Sequence, residues 1–525
     1  MGLLDKLQKK NEIGKRPEIF KEDTLLKKDI SGEKKLKKSR ISQEDVIDHY
    51  TVTVDEITFD IIIQKKEGFI YYIVPEIEKM SSALSSLTKD YINLIKMQIG
   101  DLGLSTYEQI SNFLSNFSIK YNVHIPHIHS LAKYFYLISG RLGLLEIPIN
   151  DDRLEDIMVN GYNLPVYVFH RKHQMCETNI ILDRNEVDRI IESIANLVNR
   201  PIDSRYPMLD AFLPDGSRVN ATTADITMNG ATITIRKFLK DPLTVIDLIN
   251  FGTLDIDTAA FLWQAVEGHF GAKPANTLIV GGTGSGKTTL LNVLSLFSMY
   301  NERIITIEDT PELQIPHKHV IKMVTRPARP GMQEYEITMD DLIKNALRMR
   351  PDRIYVGEVR GKEAHSLLVA MNTGHDGCSG TLHANSAEEA ILRLTSPPMN
   401  VPKIMLTALD FIIHQQRIRR AGKTVRRILE IVEIVKGGGE NNEIAKTKLY
   451  EYNGLKDTLE RKGICMWEEE VCEIAGISRE ELYRDRENRK KVLKYLYNKK
   501  IRQLEDVAKY IMKYQIDPNS VLKLV

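Results

Sequence analysis

Eight consecutive residues near the middle of the chain, Gly281-Gly282-Thr283-Gly284-Ser285-Gly286-Lys287-Thr288, have the types and order of a phosphate-binding loop. They fit G-x-x-x-x-G-K-[ST], and the context agrees. A β-branched run, Thr277–Val280, comes before, and a helical pattern opening Thr289-Leu290-Leu291 follows. Glycines let backbone N–H groups close around phosphate oxygens, and a helix N-terminus adds a favourable field. Lys287 is expected to reach the β- and γ-phosphates, and the Thr288 hydroxyl to ligate Mg²⁺. Gly281, Gly282, Thr283, Gly284, Ser285, Gly286, Lys287, Thr288 and Thr289 are thus the candidate contacts of a nucleoside triphosphate.

Such a loop serves kinases, GTPases and motors alike. No guanine-reading N-K-x-D follows it, which sets the GTPase aside. Two acidic stretches remain. Glu308-Asp309 closes the apolar run "RIITIE", and Glu358 closes "IYVGE", where Gly357 takes the place of the usual aspartate. Both lie where parallel sheets place ligands, at the carboxyl ends of strands. An acid there can hold a Mg²⁺-bound water or orient the attacking one. His383, in "GTLHAN", ends another β-like run and on its own reads as structural. Arg205, Arg218 and Arg348 on their own read as surface arginines.

These residues need a scaffold of several cores. The 525 residues suggest about three domains. Net charge is +1, from 72 basic and 71 acidic side chains, which argues against a dedicated nucleic-acid binder. Cys176, Cys378, Cys465 and Cys472 form no close pairs, so structural zinc is rejected and a reducing compartment is expected. His124, His127 and His129 read as surface or packing residues. No apolar run is long enough to span a membrane, and the first ten residues lack the apolar core of a signal peptide.

Along the chain, residues 1–45 are a basic segment; residues 1–40 carry 13 basic and 7 acidic side chains. The segment reads as a solvated tail or as a contact for an anionic membrane surface, and the residues alone leave both open. Residues 46–145 pass from β-rich "YTVTVDEITFDIIIQ" to helical "PHIHSLAKYFYLIS". Residues 146–238 form a small α+β unit with turn signals at Pro214-Asp215-Gly216 and Met228-Asn229-Gly230. Residues 239–245 are a linker. From 246 to 525, strands alternate with helices, as in a mostly parallel sheet, followed by a β-hairpin around "GGGENN" and a helical tail opened by the capping box Ser478…Glu481.

The loop "GGTGSGKTT", the acidic "TIEDTPEL", the strand "RPDRIYVGEVRGKEA" and the box "TGHDGCSGTLHANSAEEAILRL" stand together in order over residues 200–415. Together they resemble the type II/type IV secretion ATPase superfamily of secretion, type IV pilus, archaellum and conjugation motors. The resemblance implies a RecA-like α/β P-loop core preceded by α+β domains, of which residues 146–238 would be PAS-like. It makes Gly357 the family's own choice. It casts Glu358 as the acid of magnesium and catalytic water, Glu308 as the acid across the site, and His383 as the histidine near the γ-phosphate. Arg205 and Arg218 match arginines that swing in from the N-terminal domain, and Arg348 a further arginine of hydrolysis. It further implies ATP and Mg²⁺, a homo-hexamer, a polytopic membrane platform partner, and a cytoplasmic position peripheral to the inner face of the cell membrane. The basic N-terminal region and "FGTLDIDTAAFLW" look closest to archaeal members. A departure is Gly361, where the family often has aspartate. The alternative is a RecA-like hexameric helicase or nucleic-acid translocase, which would need a basic-aromatic strand groove that this sequence does not display.

Overall fold

The computed structural model describes residues 45–139, 142–238, 241–326, 335–435 and 444–525. The expected basic segment, apart from Asp45, and the "GGGENN" turn therefore lie outside the described residues.

The first half is built on β1 (Val46–Val54), β2 (Ile57–Lys66), β3 (Phe69–Ile73), β4 (Leu154–Val159), β5 (Pro165–His170), β6 (Gln174–Ile181), β7 (Met208–Phe212), β8 (Arg218–Thr222) and β9 (Thr232–Arg236). Alternating burial along β1 and β2 buries one face of each strand, the period-2 pattern of a sheet packed on one side. Sequence patterning expects a boundary between 145 and 146. The structure instead carries one nine-stranded sheet across it, in the order β1-β2-β3-β6-β5-β4-β9-β8-β7. A single apolar core likewise runs from Tyr50 to Ile235.

The seam has a physical cause. β3 would otherwise leave an open edge beside buried Tyr72 and Ile73, and pairing with β6 closes it at Tyr71↔Glu177 and Tyr72↔Thr178. The Asn179 side chain completes the junction. Its carbonyl accepts from Val74 N–H at 2.9 Å and its amide donates to Val74 C=O at 2.9 Å. Nearby, buried Asp151 accepts from Tyr50 (2.7 Å) and Tyr72 (3.1 Å) hydroxyls.

The second half holds β10 (Thr277–Val280), β11 (Ile304–Glu308), β12 (Val320–Val324), β13 (Arg353–Val359), β14 (Ser379–Leu382), β15 (Phe411–Arg420), β16 (Lys423–Ile434), β17 (Lys446–Asn453) and β18 (Thr458–Arg461). Their order is β12-β11-β13-β14-β10-β15-β16-β17-β18. Pairing is parallel from β12 through β15 and antiparallel beyond. β10 and β14 are buried at every position, as parallel strands covered on both faces must be. Alternate residues feed different cores: Ile279 belongs to one apolar cluster, Leu278 and Val280 to the other. The helical tail begins earlier than the sequence pattern expects, with the helix Met466–Ala475; the next helix, Arg479–Asn498, opens at Ser478, whose hydroxyl accepts from Glu481 N–H at 3.2 Å while Glu481 accepts from Ser478 N–H at 2.9 Å. No helix among the described residues is long and apolar enough to cross a membrane.

Candidate nucleotide site

β10 delivers the chain into the glycine-rich loop, and the helix Lys287–Ser295 leaves it. Gly286, the residue before that helix, has φ 96°, a left-handed conformation that an L side chain rarely adopts. Its use turns the first helical N–H groups toward the space above the sheet. Lys287 is buried, and its Nζ donates to Gly282 C=O at 3.2 Å. Burial lowers the ammonium pKa, with Glu358 pulling the other way. Thr288 and Thr289 are half-buried in the first turn, Thr283 and Gly284 are exposed, and Ser285 is buried with its hydroxyl unpartnered among the described residues.

Across from Lys287 stand the ends of β13 and β14. His383 Nε2 lies 3.5 Å from Lys287 Nζ and 2.8 Å from Glu358 Oε1. Desolvation first, then the Lys287 charge, lowers the His383 pKa, so the ring is neutral at pH 7. The approach to Glu358 is close but off the hydrogen-bond direction, and Oε1 has no donor among the described residues. The other oxygen is held by the Arg360 guanidinium.

Glu308 is buried beside them, and desolvation pushes its carboxyl up to about 7. Its Oε1 accepts from Glu312 N–H (2.9 Å) and Leu313 N–H (3.0 Å), pinning the loop that follows β11. This contact explains the glycine of "IYVGE". A Cβ on Gly357 would sit 3.0 Å from Glu308 Cγ and 3.4 Å from its Oε1. An aspartate there would displace Glu308, so the two acids at the strand ends depend on the bare backbone between them.

The predicted arginines are placed differently. Arg218, on β8, makes a two-point pair with Asp210 of β7 at 3.0 and 2.6 Å. That pair is the main cause of its raised pKa; Glu312 and Asp309 of the second half add to it from within electrostatic reach. Arg205 is exposed in a turn where Asp203 accepts its backbone N–H at 2.8 Å. Arg348 is exposed just beyond the helix Met339–Ala346. Neither guanidinium has a contact with the loop among the described residues. Sequence reading missed three side chains of the hairpin β15–β16: Gln415, Arg417 and Arg426 crowd the loop from the other side of β10. No motif marks them, because only the parallel pairing of β15 with β10 brings them there.

The donor set suits a phosphate chain and a divalent cation. A buried lysine without a carboxylate partner among the described residues can meet phosphate oxygens. The Thr288 hydroxyl and the unpartnered oxygen of Glu358 could hold Mg²⁺ or its water. Such an ion would supply positive charge against the charge that develops on a transferred phosphate.

The chain is similar to several known proteins. An uncharacterized protein of Methanocaldococcus jannaschii is 58% identical, over 100% of this chain and 97% of its own. The type IV secretion system protein VirB11 of Bartonella henselae is 32% identical over 51% of this chain and 83% of its own. The conjugal transfer protein TrbB of Rhizobium radiobacter is 30% identical over 47% and 73%. Residues 143–516 match the family described as Type II/IV secretion system protein, and the chain belongs to that family.

Proposed function

We propose that this chain is an ATP-hydrolysing motor that drives assembly of a type IV pilus-like filament, an archaellum or type II-like secretion. The observation that carries the reading is the line Lys287–His383–Glu358 at the mouth of the loop, ending in a carboxylate oxygen without a donor. Lys287 takes up charge on the β- and γ-phosphates. Glu358 accepts a proton from the water that attacks the γ-phosphorus, as the bond to the bridging oxygen breaks. Neutral His383 stands where it can donate to the γ-phosphate. Glu308 fixes the facing loop, and Arg218, with Arg205 and Arg348, supplies cationic charge on closure.

Family membership supports coupling to a membrane machine, and the relatives named for secretion and conjugal transfer support movement of macromolecules. In this reading the protein works as a homo-hexamer on the cytoplasmic face of the membrane. It acts against a polytopic platform protein and, through its basic segment, an anionic surface.

Steady-state ATP hydrolysis with Mg²⁺ tests the chemistry. Glu358→Gln is expected to lose turnover by at least about 100-fold while still binding ATP. Normal hydrolysis by the variant would remove Glu358 from catalysis. Stimulation by anionic vesicles with a hexamer-sized particle is expected; stimulation by single-stranded DNA instead would favour a translocase.

A further inference from the structure

The hairpin β15–β16 projects past the sheet. β10 ends at Val280, level with His414, yet β15 continues to Arg420 before β16 returns from Lys423. The projection stands as a wall beside the glycine-rich loop, on the flank of β10 away from β13 and β14. Glu358 and His383 come from the β13–β14 flank. A nucleotide with its γ-phosphate there presents its other end to the wall.

That wall carries uncompensated charge. Arg417 and Arg426 are directly opposite one another across the antiparallel pair. Like charges so placed repel. Other arginines of the hairpin are neutralised by Asp457, in the turn between β17 and β18: Arg427 binds it at 2.9 and 3.0 Å, and Arg420 reaches the same carboxylate at 3.2 Å. Among the described residues, Arg417 and Arg426 have no acidic partner. Both are exposed and both reach the loop. Arg426 Nε donates to Gly284 C=O at 3.1 Å, and Arg417 Nη1 lies 3.3 Å from where a Gly284 Cβ would be. Beneath them Gln415, 1% exposed, sits with its Nε2 3.0 Å from a Gly286 Cβ position and its Oε1 without a donor among the described residues. A repelling pair left without acids at a phosphate loop is a feature that an anionic, π-faced ligand would relieve.

We propose that Arg417 and Arg426 grip the adenosine half of the nucleotide, by guanidinium contact with the purine face and the α-phosphate, over a floor made by Gln415. This rests on the nucleotide-site reading above. Guanidinium groups suit both contacts, being permanently charged and planar.

The test is equilibrium binding of ATP, ADP and inorganic tripolyphosphate to the full chain, with particle mass followed in parallel. Arg417→Ala/Arg426→Ala is expected to weaken ATP and ADP about tenfold and tripolyphosphate by clearly less, since tripolyphosphate loses only the α-phosphate contact and not the one to the purine face. Arg417→Lys/Arg426→Lys is expected to recover only part of the loss, since ammonium groups keep charge without the planar face. A thermal unfolding midpoint no lower than the wild type's checks that these exposed substitutions leave the fold intact. Unaltered ATP affinity overturns the proposal. So does an equal loss for tripolyphosphate, which would assign the guanidiniums to the outer phosphates. Intact ATP affinity with a smaller particle would assign them to a subunit contact instead. A wild-type chain that binds neither ATP nor tripolyphosphate refutes the nucleotide site itself.

Discussion

Glu308 shows how one buried carboxyl can be read in two ways that an experiment separates. Its burial raises the pKa from the ordinary 4.5 to about 7. Below pH 4.5 the folded and unfolded chains are both protonated there. Between 4.5 and 7 the unfolded chain gives up the proton and the folded chain keeps it, so this group costs stability as pH rises, up to a plateau above 7. Glutamine cannot ionise, yet its carbonyl can still accept from Glu312 and Leu313 N–H. Glu308→Gln is therefore expected to stabilise the ATPase half at pH 8 by up to about 3 kcal/mol and to change nothing at pH 4. Urea midpoints at the two pH values, without nucleotide or magnesium, check this. A loss of stability at pH 8 would mean that the carboxylate is held ionised. ATP turnover by the same variant reports a different property: retained turnover would leave Glu308 as an anchor of its loop, and lost turnover would make it an acid of the reaction.

Among the elements, β13 is the strand on which most depends, because Gly357 leaves room for Glu308 and the next residue is Glu358. Gly357→Ala puts a Cβ 3.0 Å from Glu308 Cγ. Overpacking of this kind costs about 1–3 kcal/mol. In the Glu308→Ala background the same substitution should cost little, because the crowded side chain is gone, a coupling that a double-mutant cycle reads directly. Additive losses would show that the two residues do not crowd each other.

The loop and the strand ends around it were legible in the sequence because each is a local pattern: an apolar run, then glycines or an acid. The reason for Gly357 was not, since its neighbour Glu308 lies on a different strand. The single N-terminal sheet was hidden for the same reason. β3 and β6 pair from positions about a hundred residues apart, and nothing in "GFIYYIVPEI" announces its partner. Arg417 and Arg426 went unnoticed as two of several arginines on a hairpin. Only the register across β15 and β16 sets them face to face at the loop.

At the scale of the whole molecule, two sheets with separate cores are joined by chain near residue 240, and charge links them at the candidate site. Arg218 is held by Asp210 on its own sheet, while Glu312 and Asp309 attract it from the other half and Arg360 repels it. The Arg218–Asp210 pair is about half exposed, at 46% and 50%. A pair so open to water is worth under about 1 kcal/mol, so a bound γ-phosphate could outbid Asp210 for the guanidinium as the halves close. Weakening the holding pair should then favour the closed form. Asp210→Asn is expected to raise ATP turnover or lower KM by no more than about fivefold, the factor that 1 kcal/mol allows. Arg218→Ala should cut turnover by far more, towards the 10³-fold or greater loss of an arginine that stabilises transferring phosphate, with little change in ATP binding. Steady-state kinetics on the two variants decide the matter. If Arg218→Ala turns over like wild type, the pair with Asp210 is a fastening of the hairpin β7–β8 alone, and the charge that completes the site must come from Arg205, Arg348 or another subunit.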